Sequence, residues 1–282
     1  MVRMKENNSQ VVNWVVGSPI EQSMSPLLHT ALYKQLDIDA TMIAKSYTDS
    51  EVLVDDIRRN GVPLTAVTMP LKQSVAAYLD RLEGVASQLG IVNTIINTNG
   101  KLFGYNTDMD GISYSLSSQD LNNKSILILG AGAVANLVGL YLSQYTPIIY
   151  WHNRTQAKAE KLSQIFGGKI ISLNETDDLK IDIIINTTPI GMKSKIGIPI
   201  HSKLIHQDQI VFDVIYNPIK TELISTAEYI GAHAITGITM FVVQAIRQIE
   251  IWCGKKLLTN NLLNMATETV NRGFHERSLH KK

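Results

Sequence analysis

Apolar runs and amphipathic stretches alternate along the chain in two successive blocks. Residues 11–16, 41–47, 64–68 and 91–97 are rich in β-branched residues and read as strands, with 102–105 a shorter one. Helical periodicity covers about 26–36, 49–60, 71–82 and 84–90 between them. A helix near 108–119 leads into a second block, which opens on the apolar run Ile126, Leu127, Ile128, Leu129. A Gly130-Ala131-Gly132 turn follows, then an apolar helix to about Leu142 and another apolar run over 148–151. Further strands are expected at 169–173, 181–186, 210–214 and 233–236, with helices at 155–166 and 221–230. After Gly237 the pattern turns helical through Trp252, and again over about 260–272. The fold class is therefore α/β, in two α/β domains. Residues 1–107 with 240–282 form the first, onto which the C-terminal helices pack back, and 108–239 form a Rossmann-like second domain.

The strand, glycine turn, helix and strand spanning 125–155 form one βαβ unit opening on G-x-G-x-x-A. Gly130 permits the tight turn, Gly132 lets the backbone approach a pyrophosphate, and the small Ala135 lets helix pack against strand. The helix start at Ala133 and Val134 then faces phosphates with unpaired N–H groups. A dinucleotide site that takes NAD carries an acid at the end of the second strand, whereas an Arg there accommodates a 2′-phosphate. This chain has His152-Asn153-Arg154-Thr155 and no acid, with Lys158 a turn further on. A guanidinium suits a phosphate dianion, and a cation at a helix start is mildly unfavourable unless an anion is present. The expected cofactor is NADP.

Bulk properties narrow the partners. Lys+Arg 26 against Asp+Glu 25 leaves a formal charge of +1, which argues against nucleic acid or an anionic membrane as main partner. The basic stretch 277–282 reads as a frayed, solvated tail. No apolar run approaches the ~20 residues of a membrane span, and the polar start MVRMKENNSQ lacks a signal-peptide core. The single cysteine, Cys253, reads as a buried packing residue and leaves no internal disulfide or multi-cysteine zinc site. No metal is expected, and the cytoplasm is the expected compartment.

Three further segments carry polar groups at element ends. Gly17 to Pro26 follows the first strand, with Ser25 before Pro26 reading as a helix N-cap. Ser23 and Ser25 there would also cradle a carboxylate. Pro70 ends the third strand and leaves Thr68 and Lys72 near its C-terminal edge, where open α/β sheets bind ligands. Asn106-Thr107-Asp108 places an acid at a helix start, which a plain cap also explains.

Taken together and in order, these motifs resemble the shikimate dehydrogenases over essentially the whole chain. The set comprises S-x-S-P (Ser23 to Pro26), V-T-x-P-x-K (Val67 to Lys72), V-N-T (Val92 to Thr94) and N-T-D-x-x-G (Asn106 to Gly111). After the glycine turn come N-R-T (Asn153 to Thr155), N-x-T-P-x-G-M (Asn186 to Met192), D-x-x-Y-N-P (Asp213 to Pro218) and M-x-x-x-Q-A (Met240 to Ala245). The resemblance implies a two-domain enzyme that binds substrate in the cleft between its domains. It would reduce 3-dehydroshikimate to shikimate reversibly with NADPH, in chorismate and aromatic amino acid biosynthesis. Ser23 and Ser25 would hold the substrate carboxylate, and Thr68, Asn93, Asp108 and Gln244 its ring oxygens. Lys72 and Asp108 would form the catalytic pair. Tyr216 would touch substrate near the nicotinamide, beside Ile215 and the turn Gly237 to Met240. Gly130, Ala131, Gly132, Ala133, Val134, Ala135, Asn153, Arg154, Thr155, Lys158 and Thr188 would line the rest of the cofactor. Hydride addition to a ketone builds alkoxide charge that needs a positioned proton donor, and either member of a coupled Lys–Asp pair could formally exchange that proton. Hinge closure and a monomer or homodimer are expected.

The chain departs from the family pattern at three places. Ala66 stands where Asn usually precedes V-T-x-P, Thr30 where Asn usually follows the His, and Ala133 where the turn commonly has a further Gly. These departures keep open a quinate-accepting or otherwise divergent enzyme, although Arg154 argues against a strictly NAD-dependent one. The Y-x-x-x-K spacing of Tyr216 and Lys220 matches the short-chain dehydrogenases, but Pro218 inside it disfavours the helix that chemistry needs. A non-catalytic NADP-binding protein would have no use for both Lys72 and Asp108.

Overall fold

The computed structural model describes residues 10–173 and 179–279. The chain divides into two compact units, one running to Asp110 and resuming at Val242, the other Gly111–Phe241.

The first unit is built on a six-stranded mixed sheet. Its strands are β1 (Val11–Gly17), β2 (Ala40–Ser46), β3 (Leu64–Val67), β4 (Arg81–Leu82), β5 (Thr94–Thr98) and β6 (Lys101–Tyr105), in the order β2-β1-β3-β5-β6-β4. β1, β2 and β3 run parallel, while β5 is antiparallel to both β3 and β6. Helices α1 (Ser25–Gln35), α2 (Ser50–Asn60) and α3 (Val85–Leu89) connect them. Asp49 caps α2 by accepting from the Glu51 and Val52 amides, and Gly61 closes it in the left-handed conformation. Trp14, Val16, Leu53, Ile57, Val67 and Val92 fill the core under α2.

Between residues 71 and 82 the expected helix does not form. A turn at Pro70–Gln73 leads to a short 3₁₀ segment, Ser74–Tyr78, and the chain then joins the sheet as β4. Asp80 takes the Leu102 amide at 2.7 Å, and Leu79 and Leu82 fill the space left by the missing side chain of Gly104. Pairing with β6 outweighs the i, i+3 spacing of the two leucines, which fits a helix equally well. The strand expected at 91–97 likewise begins only at Thr94, as β5, because the amides of Val92 and Asn93 bond outside the ladder, to Lys72 and Tyr105.

In the second unit all six strands are parallel. They are β7 (Ser125–Leu129), β8 (Ile148–His152), β9 (Lys169–Ile170), β10 (Ile183–Asn186), β11 (Ile210–Asp213) and β12 (His233–Ile235), ordered β12-β11-β10-β7-β8-β9. This is the doubly wound order with its switch point between β7 and β10. The central strands are buried on both faces, which is why they read as unbroken Ile, Leu and Val runs. α4 (Asp108–Leu116) leads into this unit, whose own helices are α5 (Ala133–Leu142), α6 (Gln156–Phe166) and α7 (Glu222–Ile230).

α8 (Gly237–Cys253) and α9 (Asn260–Leu279) complete the first unit from Val242 onward. α9 lies against α1, where Gly273 leaves room for Leu27. It runs past the expected end near 272, and Arg277, read as part of a solvated tail, donates to the carbonyls of Gln22 and Ser23 at 3.1 and 3.3 Å. Cys253 is half-buried rather than buried, and that burial raises its thiol pKa. Among the described residues, no helix is long and apolar enough to cross a membrane.

Two polar side chains tie the ends of β10 and β11 together. Asp213 accepts from Asn186 Nδ2 at 3.0 Å, the Ile215 amide at 3.1 Å and Thr221 Oγ1 at 2.7 Å, and is fully buried. Burial pushes its carboxyl up to about 6, against the pull of those three donors. A folded pKa above the unfolded value stabilises the fold fully below pH 3.8, and that contribution disappears as pH rises through about 6. The stability of the wild type relative to Asp213→Asn is therefore expected to fall between pH 4 and 7, by roughly 1–3 kcal/mol. Urea denaturation of both proteins across that range checks this, and a pH-independent difference would contradict it.

Candidate active site

In the first unit the polar residues converge where β1, β3 and β6 end. Lys72 sits in the turn after β3, and its carbonyl accepts the Val92 amide at 2.7 Å, which fixes the backbone that carries it. Its Nζ donates to Asp108 Oδ2 at 2.6 Å, with the two side chains only 16% and 8% exposed. Asp108 opens α4. Asn106 Oδ1 accepts the Asp108 amide at 3.1 Å, while Asn106 Nδ2 donates to Ile91 O. Both oxygens of the Asp108 carboxylate have side-chain partners. Asn93 Nδ2 donates to Asp108 Oδ1 at 2.9 Å and lies 3.5 Å from Gln244 Oε1.

Nearby, Ser25 is the first residue of α1 rather than its cap, because the preceding Met24 already has helical backbone angles. Ser23 Oγ takes the capping part by accepting the Ser25 amide at 3.2 Å. The segment after β1 is joined to the segment after β3 by Ser18 N–H to Met69 O at 2.9 Å, and the Thr68 amide donates to Val16 O. A Cβ on Gly17 would lie 2.5 Å from both Met69 O and Thr68 Cγ2, so only glycine permits this approach. His29 is fully buried behind the serines, and burial pulls its pKa down to about 4 although hydrogen bonds to Gln248 and Ser25 raise it.

The second unit gathers its own candidates at the C-terminal ends of β7, β8, β10 and β11. Gly130 has φ +106°, and a Cβ there would meet Thr187 Oγ1 at 2.6 Å. Gly132 differs, because a Cβ there would meet no protein atom within 4 Å. Nothing inside the protein requires glycine at 132, whereas a ligand pressed against the turn would. α5 begins at Ala133 with no side-chain cap and no acid in its first turn, leaving its N–H groups for an anion. At the end of β8, Asn153 Nδ2 donates to Thr155 O at 2.8 Å, and Arg154, Thr155 and Lys158 are exposed around a helix start that also lacks an acid or a side-chain cap. Among the described residues neither Arg154 nor Lys158 is in a salt bridge. A glycine turn backed by a bare helix end, with free cations at the next strand, fits a dinucleotide carrying an extra phosphate.

Thr188 is held by Asn186 Oδ1 at 2.7 Å beside the Gly130 turn, and a Cβ on Gly237 would meet the carbonyls of Val214 and Ile215. Met240 packs against Gly111, and Tyr216 stacks on Phe241 with ring centroids 3.9 Å apart. Ser23, Ser25, Thr68, Lys72, Asn93, Asp108 and Gln244 thus belong to the first unit, and the expected cofactor residues and Tyr216 to the second.

Two family models match successive stretches of the chain. The substrate binding domain of shikimate dehydrogenase matches residues 15–95, and shikimate / quinate 5-dehydrogenase matches 114–196. Shikimate dehydrogenase (NADP(+)) of Pyrococcus abyssi is 34% identical over 243 residues, 85% of this chain and 91% of its own length. The chain belongs to the shikimate dehydrogenase family. The enzyme of that name from Pelagibacter ubique is 37% identical over 244 residues, 84% of this chain and 91% of its own. A shikimate dehydrogenase solved in complex with NADP+ superposes with a TM-score of 0.85 at 30% identity, covering 95% of this chain and 96% of that one. The Thermus thermophilus enzyme, solved with NADP(H) and shikimate, gives 0.83 at 26% identity, covering 93% and 99%.

Three residues beyond the expected set support the site. Asn106 accepts the Asp108 amide, Arg277 holds the backbone at Ser23, and Gln248 reaches Asn93 from α8. Gln248 lies four residues after Gln244, which puts both on one helix face, and that spacing is the signal available in the sequence. The exposed Arg154 generates a direct test. Arg154→Ala is expected to raise the Kd for NADP+ about 10- to 100-fold, from the loss of one charge-assisted contact to phosphate, and to leave NAD+ binding unchanged. Fluorescence titration with both dinucleotides measures it, and equal weakening of the two would contradict a 2′-phosphate contact.

Proposed function

We propose that this protein is an NADP-dependent oxidoreductase that reversibly reduces 3-dehydroshikimate to shikimate, a step toward chorismate and the aromatic amino acids. The observation that carries the chemistry is the buried Lys72–Asp108 pair at 2.6 Å, with Asn93 on the second carboxylate oxygen. Relatives named shikimate dehydrogenase (NADP(+)), matched along most of the chain, support the substrate and cofactor. In this reading, residues up to Asp110 with those from Val242 bind the ring acid, and Gly111–Phe241 bind NADP. The enzyme works in the cytoplasm on small molecules alone, as a monomer or homodimer.

Ser23 and Ser25 offer hydroxyls to the substrate carboxylate, and Thr68, Asn93, Asp108 and Gln244 address the ring oxygens. NADPH, when bound, supplies the hydride. Lys72 Nζ polarises the ketone oxygen and delivers the proton that turns the developing alkoxide into an alcohol. Asp108 Oδ2 orients the ammonium and accepts a ring hydroxyl, and the pair regains its proton from solvent. In the oxidative direction each transfer reverses.

The rate of NADP+ reduction with shikimate at mildly alkaline pH, beside quinate and NAD+ controls, tests this reading. Fast turnover with shikimate and NADP+ is expected. Preference for quinate, or tight NADP+ binding without turnover on either acid, would contradict it. In the same assay Lys72→Ala should lower kcat by about 10²–10⁴-fold with KM for shikimate changed only a few-fold. Equal losses in kcat and in substrate affinity would argue against a proton-transfer role.

A further inference from the structure

Behind the ion pair runs a continuous chain of buried hydrogen bonds that reaches it through Asn93. Gln248, 1% exposed on α8, donates through Nε2 to the Asn93 carbonyl at 3.1 Å and to Thr94 Oγ1 at 2.9 Å. Its Oε1 lies 2.8 Å from Nε2 of His29, whose Nδ1 is 2.9 Å from the Ser25 carbonyl. His29 and Thr94 are wholly buried and Asn93 is 2% exposed. With the amide N–H₂ of Gln248 committed to two oxygens, its Oε1 is the acceptor for a His29 Nε2–H, and the neutral ring then has no proton on Nδ1 to give the Ser25 carbonyl.

Donor and acceptor counting gives this chain a direction. Thr94 Oγ1 has one proton, and while it accepts from Gln248 it is free to donate that proton to Asn93 Oδ1, at 2.8 Å. Asn93 Oδ1 also accepts the Thr107 amide at 2.7 Å. With its oxygen so occupied, the Asn93 carboxamide can present only its N–H₂ to Asp108 Oδ1. The reverse amide orientation would set oxygen against carboxylate, in a dry site where an unpaired contact costs most. Ala66 is the ladder partner of Thr94 and carries no polar group; around the Thr94 hydroxyl the Gln248 amide at 2.9 Å can only donate, while Thr107 Oγ1 at 3.4 Å can give or take the proton.

We propose that Gln248, held by His29, is a positioning residue that fixes the orientation of the Asn93 carboxamide and through it the Asp108 carboxylate. The kinetic part of this proposal rests on the activity inferred above. It also ties α1, through His29, to the Asn93 end of the site by buried side chains, so that α1, β5, α4 and α8 hold one geometry.

Two variants test it. Gln248→Met keeps the volume and removes all three polar contacts. Gln248→Glu keeps an acceptor for His29 and sets an oxygen against Asn93 O and Thr94 Oγ1. In both, kcat/KM for shikimate is expected to fall at least about 10-fold, with KM for NADP+ within about 2-fold of wild type. Hydrogen exchange of the Asn93 side-chain amide, followed by NMR in the ligand-free protein, should accelerate by about 10-fold or more in both variants. Wild-type kinetics and exchange in Gln248→Glu would overturn the proposal, because packing and the His29 contact would then suffice. Parallel losses for shikimate and NADP+ with unchanged Asn93 exchange would overturn it too. The exchange measurement needs no substrate, so it decides the positioning role even if the wild type does not turn over shikimate, an outcome that would count against the activity alone.

Discussion

A buried ammonium–carboxylate contact constrains the first unit more than any other interaction. Lys72 and Asp108 are both largely removed from water, and a desolvated ion pair holds its charges only where the remaining lone pairs and protons find partners. Removing one member would leave a buried charge, at a cost of about 3–5 kcal/mol. The surrounding chain is shaped accordingly. Asn106 accepts the Asp108 amide, Asn93 covers the second carboxylate oxygen, and the Lys72 carbonyl anchors Val92. Each of these partners lies where regular structure breaks off, between β3 and the 3₁₀ segment, before β5, and between β6 and α4. The irregular backbone at these points is what the polar contacts require.

The second unit solves a related problem differently. Its parallel strands are apolar throughout, and polarity is confined to their C-terminal ends, where Asn186 and Asp213 bond to each other and to the following loops. Those bonds hold the loops that carry Thr188 and Ile215. The glycine turn and the open helix end at Ala133 are left with N–H groups and no acid, and Arg154 adds positive charge at the next strand. One unit therefore commits its polar groups to a buried ion pair, and the other leaves the N–H groups of a helix end without a side-chain cap.

Much of this was legible in the sequence, for physical reasons that differ by element. The central strands of the second unit declared themselves because burial on both faces leaves no polar position to confuse the pattern. Gly130 was legible because few residue types suit a positive φ, which it adopts at +106°. Residues 71–82 misled because Leu79 and Leu82 satisfy a helical spacing, and only the partner Gly104, 22 residues beyond Leu82 in sequence, reveals that they face a sheet edge. The early end assigned to α9 had a similar origin, since nothing local to Arg277 signals that its partners are carbonyls at Gln22 and Ser23. Gln248 was hidden because a glutamine at a helical position ordinarily points to solvent, and its burial depends on two distant segments, at His29 and at Asn93–Thr94.

The central claim is that Lys72 and Asp108 act as one unit. It is tested most directly by a double-mutant cycle in kcat with Lys72→Met, Asp108→Asn and the two combined, each checked for retained NADP+ binding. Residues that share one proton should be strongly non-additive, so the double variant is expected to be no slower than the slower single variant. A double variant slowed by the full product of the two single effects would mean that the residues act independently, and would contradict the account.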